Sequence, residues 1–281
     1  MRWQGRRQSS NVEDKRGLSS KGVIGGGIGS IVIILVVLLL GGDPTALLQN
    51  IQTSDQSATT NYSETAEEKE QAQFVSVVLA ETEDVWHNIF SDLGESYREP
   101  KLVLFTGSVQ SACGTAGAST GPFYCPGDEK LYIDLSFFNE LQTRFKAPGD
   151  FAMAYVVAHE VGHHIQNLLG TMDKIQILRS RLSEEEYNKY SVRLELQADF
   201  YAGVWAHYTD KMKGLLEEGD LDEALNAASA VGDDRIQKQA QGYIVPDSFT
   251  HGTSEQRKRW FYKGYTSGDI RQGDTFNTDN I

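Results

Sequence analysis

No five residues constrain this chain more than His159-Glu160-Val161-Gly162-His163. They sit in an apolar run, with Tyr155, Val156 and Val157 before them and Ile165 and Leu168 after. That run predicts a buried helix from Asp150 to about Leu169. Pro148-Gly149 stops the preceding segment, Asp150 is placed to cap the helix, and Gly170 lies past its end. Residues four apart share one face of a helix, so His159 and His163 reach a single metal ion. Glu160 falls beside that face, where its carboxylate addresses a water next to the metal rather than the metal. Unpaired polar side chains are costly in such apolar company. The segment therefore either turns its histidines to water or holds a cation. His164 lies off the shared face and belongs behind the site or at the surface.

A catalytic zinc site needs a third protein ligand. One pattern supplies a histidine six residues after the second, as H-E-x-x-H-x-x-G-x-x-H, but here Gln166 stands at the glycine position and Leu169 at the histidine position. The other pattern takes a glutamate from a following helix. Ser183 and Glu186 have the spacing of a capping box that opens a second long helix, continuing beyond Trp205. Within it Glu195 stands between Leu194 and Leu196, unusual surroundings for a solvated carboxylate. Asp199, four residues on, shares its face and is placed to accept a hydrogen bond from the outer nitrogen of a metal-bound histidine. Small residues at Ala198, Ala202 and Gly203 let this helix approach the first near Gly162. The plainer reading of Glu195 and Asp199 alone is an acidic pair facing solvent.

The formal net charge of −13 is unevenly spread. Residues 1–21 carry six Lys/Arg against Glu13 and Asp14, and residues 22–42 carry no charge, which leaves 20 basic and 37 acidic residues, a net of −17, beyond them. So acidic a body repels phosphate backbones and speaks against nucleic-acid binding. Twenty-one helical residues reach roughly 30 Å, the thickness of a bilayer's hydrocarbon core. Residues 22–42 are thus expected to form a transmembrane anchor. The rival is a cleaved signal peptide, but Ala46 is followed by Leu47-Leu48 rather than a small-residue cleavage site. The basic flank then places residues 1–21 in the cytoplasm as a tail and everything after Gly42 outside. Residues 43–70, polar and without apolar period, read as a flexible linker. Residues 71–281 read as one α+β domain, mostly helical with a small sheet. Its helical stripe runs from Glu67 to Leu93, its two evident strands are Lys101–Phe105 and Lys130–Asp134, and short helices are expected near 221–231 and 254–265. Cys113 and Cys125 flank the loop between the strands. In an oxidising compartment they are expected to form a disulfide, and two unrelated thiols are the alternative.

His159-Glu160-x-x-His163 followed by Glu195-x-x-x-Asp199 is the glutamate-zincin pattern. The chain resembles the bacterial putative neutral zinc metallopeptidase (YpfJ-like) family over almost its full length, including Arg2-Trp3-Gln4-Gly5-Arg6-Arg7 and Thr120-Gly121-Pro122-Phe123-Tyr124-Cys125-Pro126. The resemblance implies a single-pass anchor with the catalytic domain on the periplasmic face of the bacterial inner membrane. It also implies Zn2+ on His159, His163 and Glu195, with Glu160 as general base in hydrolysing a polypeptide substrate, envelope proteins or peptides. His251 begins His251-Gly252-Thr253-Ser254-Glu255-Gln256-Arg257, similar to a His-Pro-x-x-x-x-Arg segment of membrane-associated zinc peptidases of the HtpX-like kind, with Gly252 for the proline. Two roles stand for His251, oxyanion stabiliser or fourth zinc ligand. Arg257 is read as its support or as a partner for a substrate carbonyl. The substrate would lie extended along an edge strand such as Lys130–Asp134. The alternative function is a zinc-binding, non-catalytic or latent membrane-tethered adaptor. The oligomeric state is left open.

Overall fold

The computed structural model describes residues 1–17 and 62–281. Met1–Lys15 and Glu64–Ile281 form one compact unit. It opens with strand β1 (Val12–Asp14). Helix α1 (Ala66–Asp92) follows, within a residue of the predicted stripe. Thr65 and Glu68 form its capping box, each side chain accepting the other's backbone N–H. Next come β2 (Lys101–Phe105), the hairpin β3 (Ser108–Ser111) and β4 (Gly114–Gly117), then β5 (Phe123–Cys125) and β6 (Lys130–Asp134). The main sheet has the order β1-β2-β6-β5, parallel except for the antiparallel β5–β6 pair. Sequence shows only β2 and β6 because they are apolar and buried. The three-residue β1 and β5 are too short for an alternation and exist to satisfy their neighbours' backbone groups. Since β6 lies between β2 and β5, it is not an edge. The outer strand on that side is β5. Cys113 and Cys125 are joined by a disulfide, Cα–Cα 5.8 Å, which fastens the β3–β4 turn to β5. In the chain-entropy view such a short loop contributes about 3 kcal/mol.

The helices that follow are α2 (Ser136–Thr143), α3 (Asp150–Leu168), α4 (Thr171–Leu178), α5 (Glu184–Lys213), α6 (Asp220–Ala230), α7 (Asp233–Gln241) and α8 (Ser254–Ser267). Residues 151–166 of α3 are all buried, as the continuous apolar run requires, with α1, α5 and α6 packed around them. Close approach of α5 depends on Gly162, where an added β-carbon would lie 2.8 Å from the Ala198 carbonyl oxygen. Gly203 serves a different crossing. Its β-carbon would meet the Phe261 carbonyl of α8 at 2.0 Å, and one on Gly264 would meet that of Phe200 at 2.1 Å.

Two expectations are corrected here. Among the described residues no helix is long and apolar enough to cross a membrane, and the run 22–42 read as an anchor lies outside them. The fold class of the described residues is α+β, mostly helical with a small sheet. Of residues 1–21, read as a cytoplasmic tail, 1–15 are instead built into the same unit as helices α1 to α8. Val12, Glu13 and Asp14 pair with Leu102, Val103 and Leu104. Arg7 bonds Glu83 at 2.8 Å and Asp84 at 2.7 Å, and Arg6 reaches Glu81 at 3.4 Å. A single span between these segments would put them on opposite sides of a bilayer, so the single-pass placement with a periplasmic domain is not supported. The basic flank misled because its charge answers acidic residues of α1, a long-range pairing that local charge counting does not see.

Candidate metal centre

One turn of α3 separates His159 from His163, and their rings stand 4.8 Å apart at 83°. Glu195 projects from α5 towards both, its Oε2 3.2 Å from His159 Nε2 and its Oε1 3.4 Å from His163 Nε2. One ligand atom from each of the three lies within 4.8 Å of the others. The far side of each ring is held as well. His159 Nδ1 lies 2.8 Å from Asp199 Oδ1, and His163 Nδ1 lies 2.9 Å from Gln166 Oε1. Both rings are thereby fixed with Nε2 turned inward. A donor set of two imidazoles and one carboxylate, with outer nitrogens satisfied, fits zinc. Glu160 is buried beside these three side chains and, among the described residues, its carboxylate has no hydrogen-bond partner.

Asp199 is fully buried and four times hydrogen-bonded. Besides His159, its Oδ1 accepts from Tyr155 Oη at 2.5 Å and Arg257 Nη2 at 3.0 Å, and its Oδ2 from Arg257 Nε at 2.8 Å. Burial works against charge on Asp199, but Arg257 and His159 outweigh it and lower its pKa. Arg257 also donates to the Val231 carbonyl at 3.3 Å. Its donors are engaged by Asp199, Tyr155 and the Val231 carbonyl behind His159 rather than turned to a substrate. His164 is wholly buried, bridging Tyr124 Oη at 3.0 Å and the Arg98 carbonyl at 2.6 Å, and burial lowers its pKa.

His159, His163 and Glu195 open into a cleft of about 540 Å³. One wall is 119–124, running into β5, and another is apolar, with Phe137, Val156 and Ile236. His251 lines the same cleft, half-exposed, with Nδ1 3.2 Å from Asp233 Oδ1. Asp233 Oδ2 accepts the backbone N–H groups of Thr250, His251 and Gly252 at 2.8, 2.6 and 3.0 Å. Burial opposes charge on His251, yet Asp233 and the nearby Glu195 raise its pKa. His251 is not part of the converging ligand group. Sequence reasoning missed Tyr155, Gln166 and Asp233. Gln166, at i+3 from His163, carried a local signal, whereas Asp233 had none.

Without metal, burial opposes a proton on His159, but Asp199 and Glu195 more than compensate and raise its pKa to about 9. Raised above the ordinary 6.5, this group stabilises the metal-free fold fully below 6.5, and that contribution is lost as pH rises through 9. A metal bound through His159 Nε2 would displace the same proton. Calorimetry in buffers of different ionisation enthalpy should therefore show about one proton released per zinc at pH 7.5. Affinity should rise roughly tenfold per pH unit towards 9. Binding without proton release at pH 7.5 would contradict this.

Comparison with known proteins agrees with the geometry. Residues 1–276 match the model of a family described as putative neutral zinc metallopeptidase. The chain is 49% identical to the uncharacterized protein YpfJ of Escherichia coli K12, covering 98% of this chain and 99% of the relative. It is 40% identical to the uncharacterized protein Rv2575 of Mycobacterium tuberculosis H37Rv, over 87% and 86% of the two chains. No solved structure matches significantly. The chain belongs to the putative neutral zinc metallopeptidase family.

Proposed function

We propose that the protein is a zinc-dependent endopeptidase, with zinc on His159, His163 and Glu195 and Glu160 as general base. The observation that carries this reading is the convergence of those three side chains beside Glu160, which is buried, lines an open cleft and has no hydrogen-bond partner among the described residues. When bound, zinc supplies a Lewis acid that acidifies water and polarises a peptide carbonyl. Glu160 accepts the proton of the attacking water and passes it to the leaving amine. His251, kept oriented by Asp233, donates to the carbonyl oxygen as negative charge develops there. Its place outside the ligand group supports this role over that of a fourth ligand. An extended polypeptide adds to the outer edge of β5, the wall that the disulfide secures. Its side chain next to the scissile bond is apolar, seated against Phe137, Val156 and Ile236.

The test is cleavage of casein and of a peptide library by the full chain. Activity should vanish with a chelator and return with one equivalent of zinc, with cuts beside bulky apolar residues. His251→Ala should lower kcat by about 100-fold with KM and zinc content little changed. A zinc-loaded chain that cuts no peptide would tell against the reading, and a His251→Ala enzyme of full kcat would remove His251 from it.

A further inference from the structure

The two histidines are held from behind by different chemistry. Asp199 is a carboxylate and accepts whichever way it turns. Gln166 is an amide, with an acceptor at one end and donors at the other, and it supports His163 only if its oxygen faces the ring. Turned over, it would present N–H groups to Nδ1 and leave that nitrogen without its acceptor.

The structure contains a relay that decides the orientation. The Gly273 carbonyl can only accept, and it takes a hydrogen bond from Gln197 Nε2 at 2.8 Å. Gln197 Oε1 therefore faces Gln166 and accepts from its Nε2 at 3.2 Å. The same Nε2 donates to the Leu194 carbonyl at 2.6 Å. With both hydrogens engaged, Gln166 Oε1 is left to accept from His163 Nδ1 at 2.9 Å. Nδ1 then carries the proton, and Nε2 keeps its lone pair for a metal. Gln166 is fully buried and Gln197 nearly so, leaving no water to substitute for a lost partner.

This amide also spans the two ligand-bearing helices. It reaches from His163 on α3 to the carbonyl of Leu194 on α5, the residue before Glu195. Its far anchor, Gly273, belongs to the C-terminal segment. That segment is seated on α5 by Arg193, which donates to the carbonyls of Thr275 and Thr278, and by Thr275 Oγ1, which donates to the Arg193 carbonyl at 2.6 Å.

We propose that Gln166 is the positioning residue for His163, that Gln197 and the Gly273 carbonyl fix its orientation, and that the C-terminal segment is thereby part of the metal site. This rests on His159, His163 and Glu195 being the metal ligands. The test uses the full chain and zinc alone, with dissociation constants from chelator competition and ring N–H signals from proton NMR of the zinc-loaded protein. Wild type should bind one zinc and show two slowly exchanging ring N–H signals from its ligands. Gln166→Met should weaken zinc by about 10–100-fold and lose the His163 signal alone, the His159 signal persisting as its internal control. Gln197→Met, which touches no ligand, should shift both readouts the same way but less. Affinities within about twofold of wild type, with the His163 signal intact in either variant, would overturn the proposal while leaving the ligand assignment standing. A wild-type chain without zinc at these residues would overturn both.

Discussion

Replacing Glu160 with glutamine is expected to lower kcat by at least about 100-fold while leaving one zinc per chain. Glutamine keeps the size and polarity of the side chain but cannot take a proton from water. It should not disturb the ligands, because Glu160 lies beside rather than among the three converging groups. Nor should the fold suffer, since among the described residues the Glu160 carboxylate makes no hydrogen bond that the change would break. Peptide cleavage, zinc content and the melting curve of the purified variant separate these effects. A variant that keeps wild-type kcat would remove Glu160 from the chemistry. One that loses zinc as well as activity would show it to be a ligand, and the division of labour along α3 would have to be redrawn.

The second large effect is expected at Arg257. Changing it to methionine leaves the carboxylate of Asp199, fully buried, without its guanidinium partner and two of its four hydrogen bonds. Breaking a buried pair from one side typically costs about 3–5 kcal/mol. For a domain of this size that corresponds to a melting temperature lower by roughly 10 °C. Zinc binding should weaken with it, because Asp199 fixes the ring of His159. Arg257→Lys should recover only part of the loss, since one ammonium cannot reproduce the forked contact to both carboxylate oxygens. A methionine variant that melts within about 2 °C of wild type would show that the pair contributes little and that Asp199 is solvated by other means. Arg257 thus acts through Asp199 and His159, and this reading differs from the substrate contact suggested by its spacing from His251.

How much of this was legible beforehand follows from the range of each interaction. His159 and His163 are related by one helical turn, and Glu195 and Asp199 by another, so sequence spacing alone places each pair on one face. That the two faces meet depended on Gly162 and Ala198, and small residues on both helices gave notice of it. Helices α1, α3, α5, α6 and α8 were readable from apolar runs and, for α5, its capping box, whereas the short α2, α4 and α7 were not anticipated. Asp150, expected to cap α3, is its first residue and accepts from the Met1 amine instead. Partners brought together by tertiary folding were not readable. Gln197 and Gly273, or Asp233 and His251, carry no mark of each other in the chain. Nor does β1 show itself as a strand, because Val12-Glu13-Asp14 becomes one only by pairing with β2. The basic start of the chain was misjudged for the same reason. Arg6 and Arg7 answer Glu81, Glu83 and Asp84, more than seventy residues away.

The central claim is that one zinc ion sits between His159, His163 and Glu195. Anomalous diffraction at the zinc edge, from crystals of the zinc-loaded full chain, tests it most directly. The account predicts a single strong peak per chain, about 2.0–2.1 Å from both histidine Nε2 atoms and about 2.0–2.2 Å from a Glu195 oxygen. A peak elsewhere, for instance among the carboxylates of Asp150, Asp220 and Glu223, which also lie close together, or no peak at all, would contradict it.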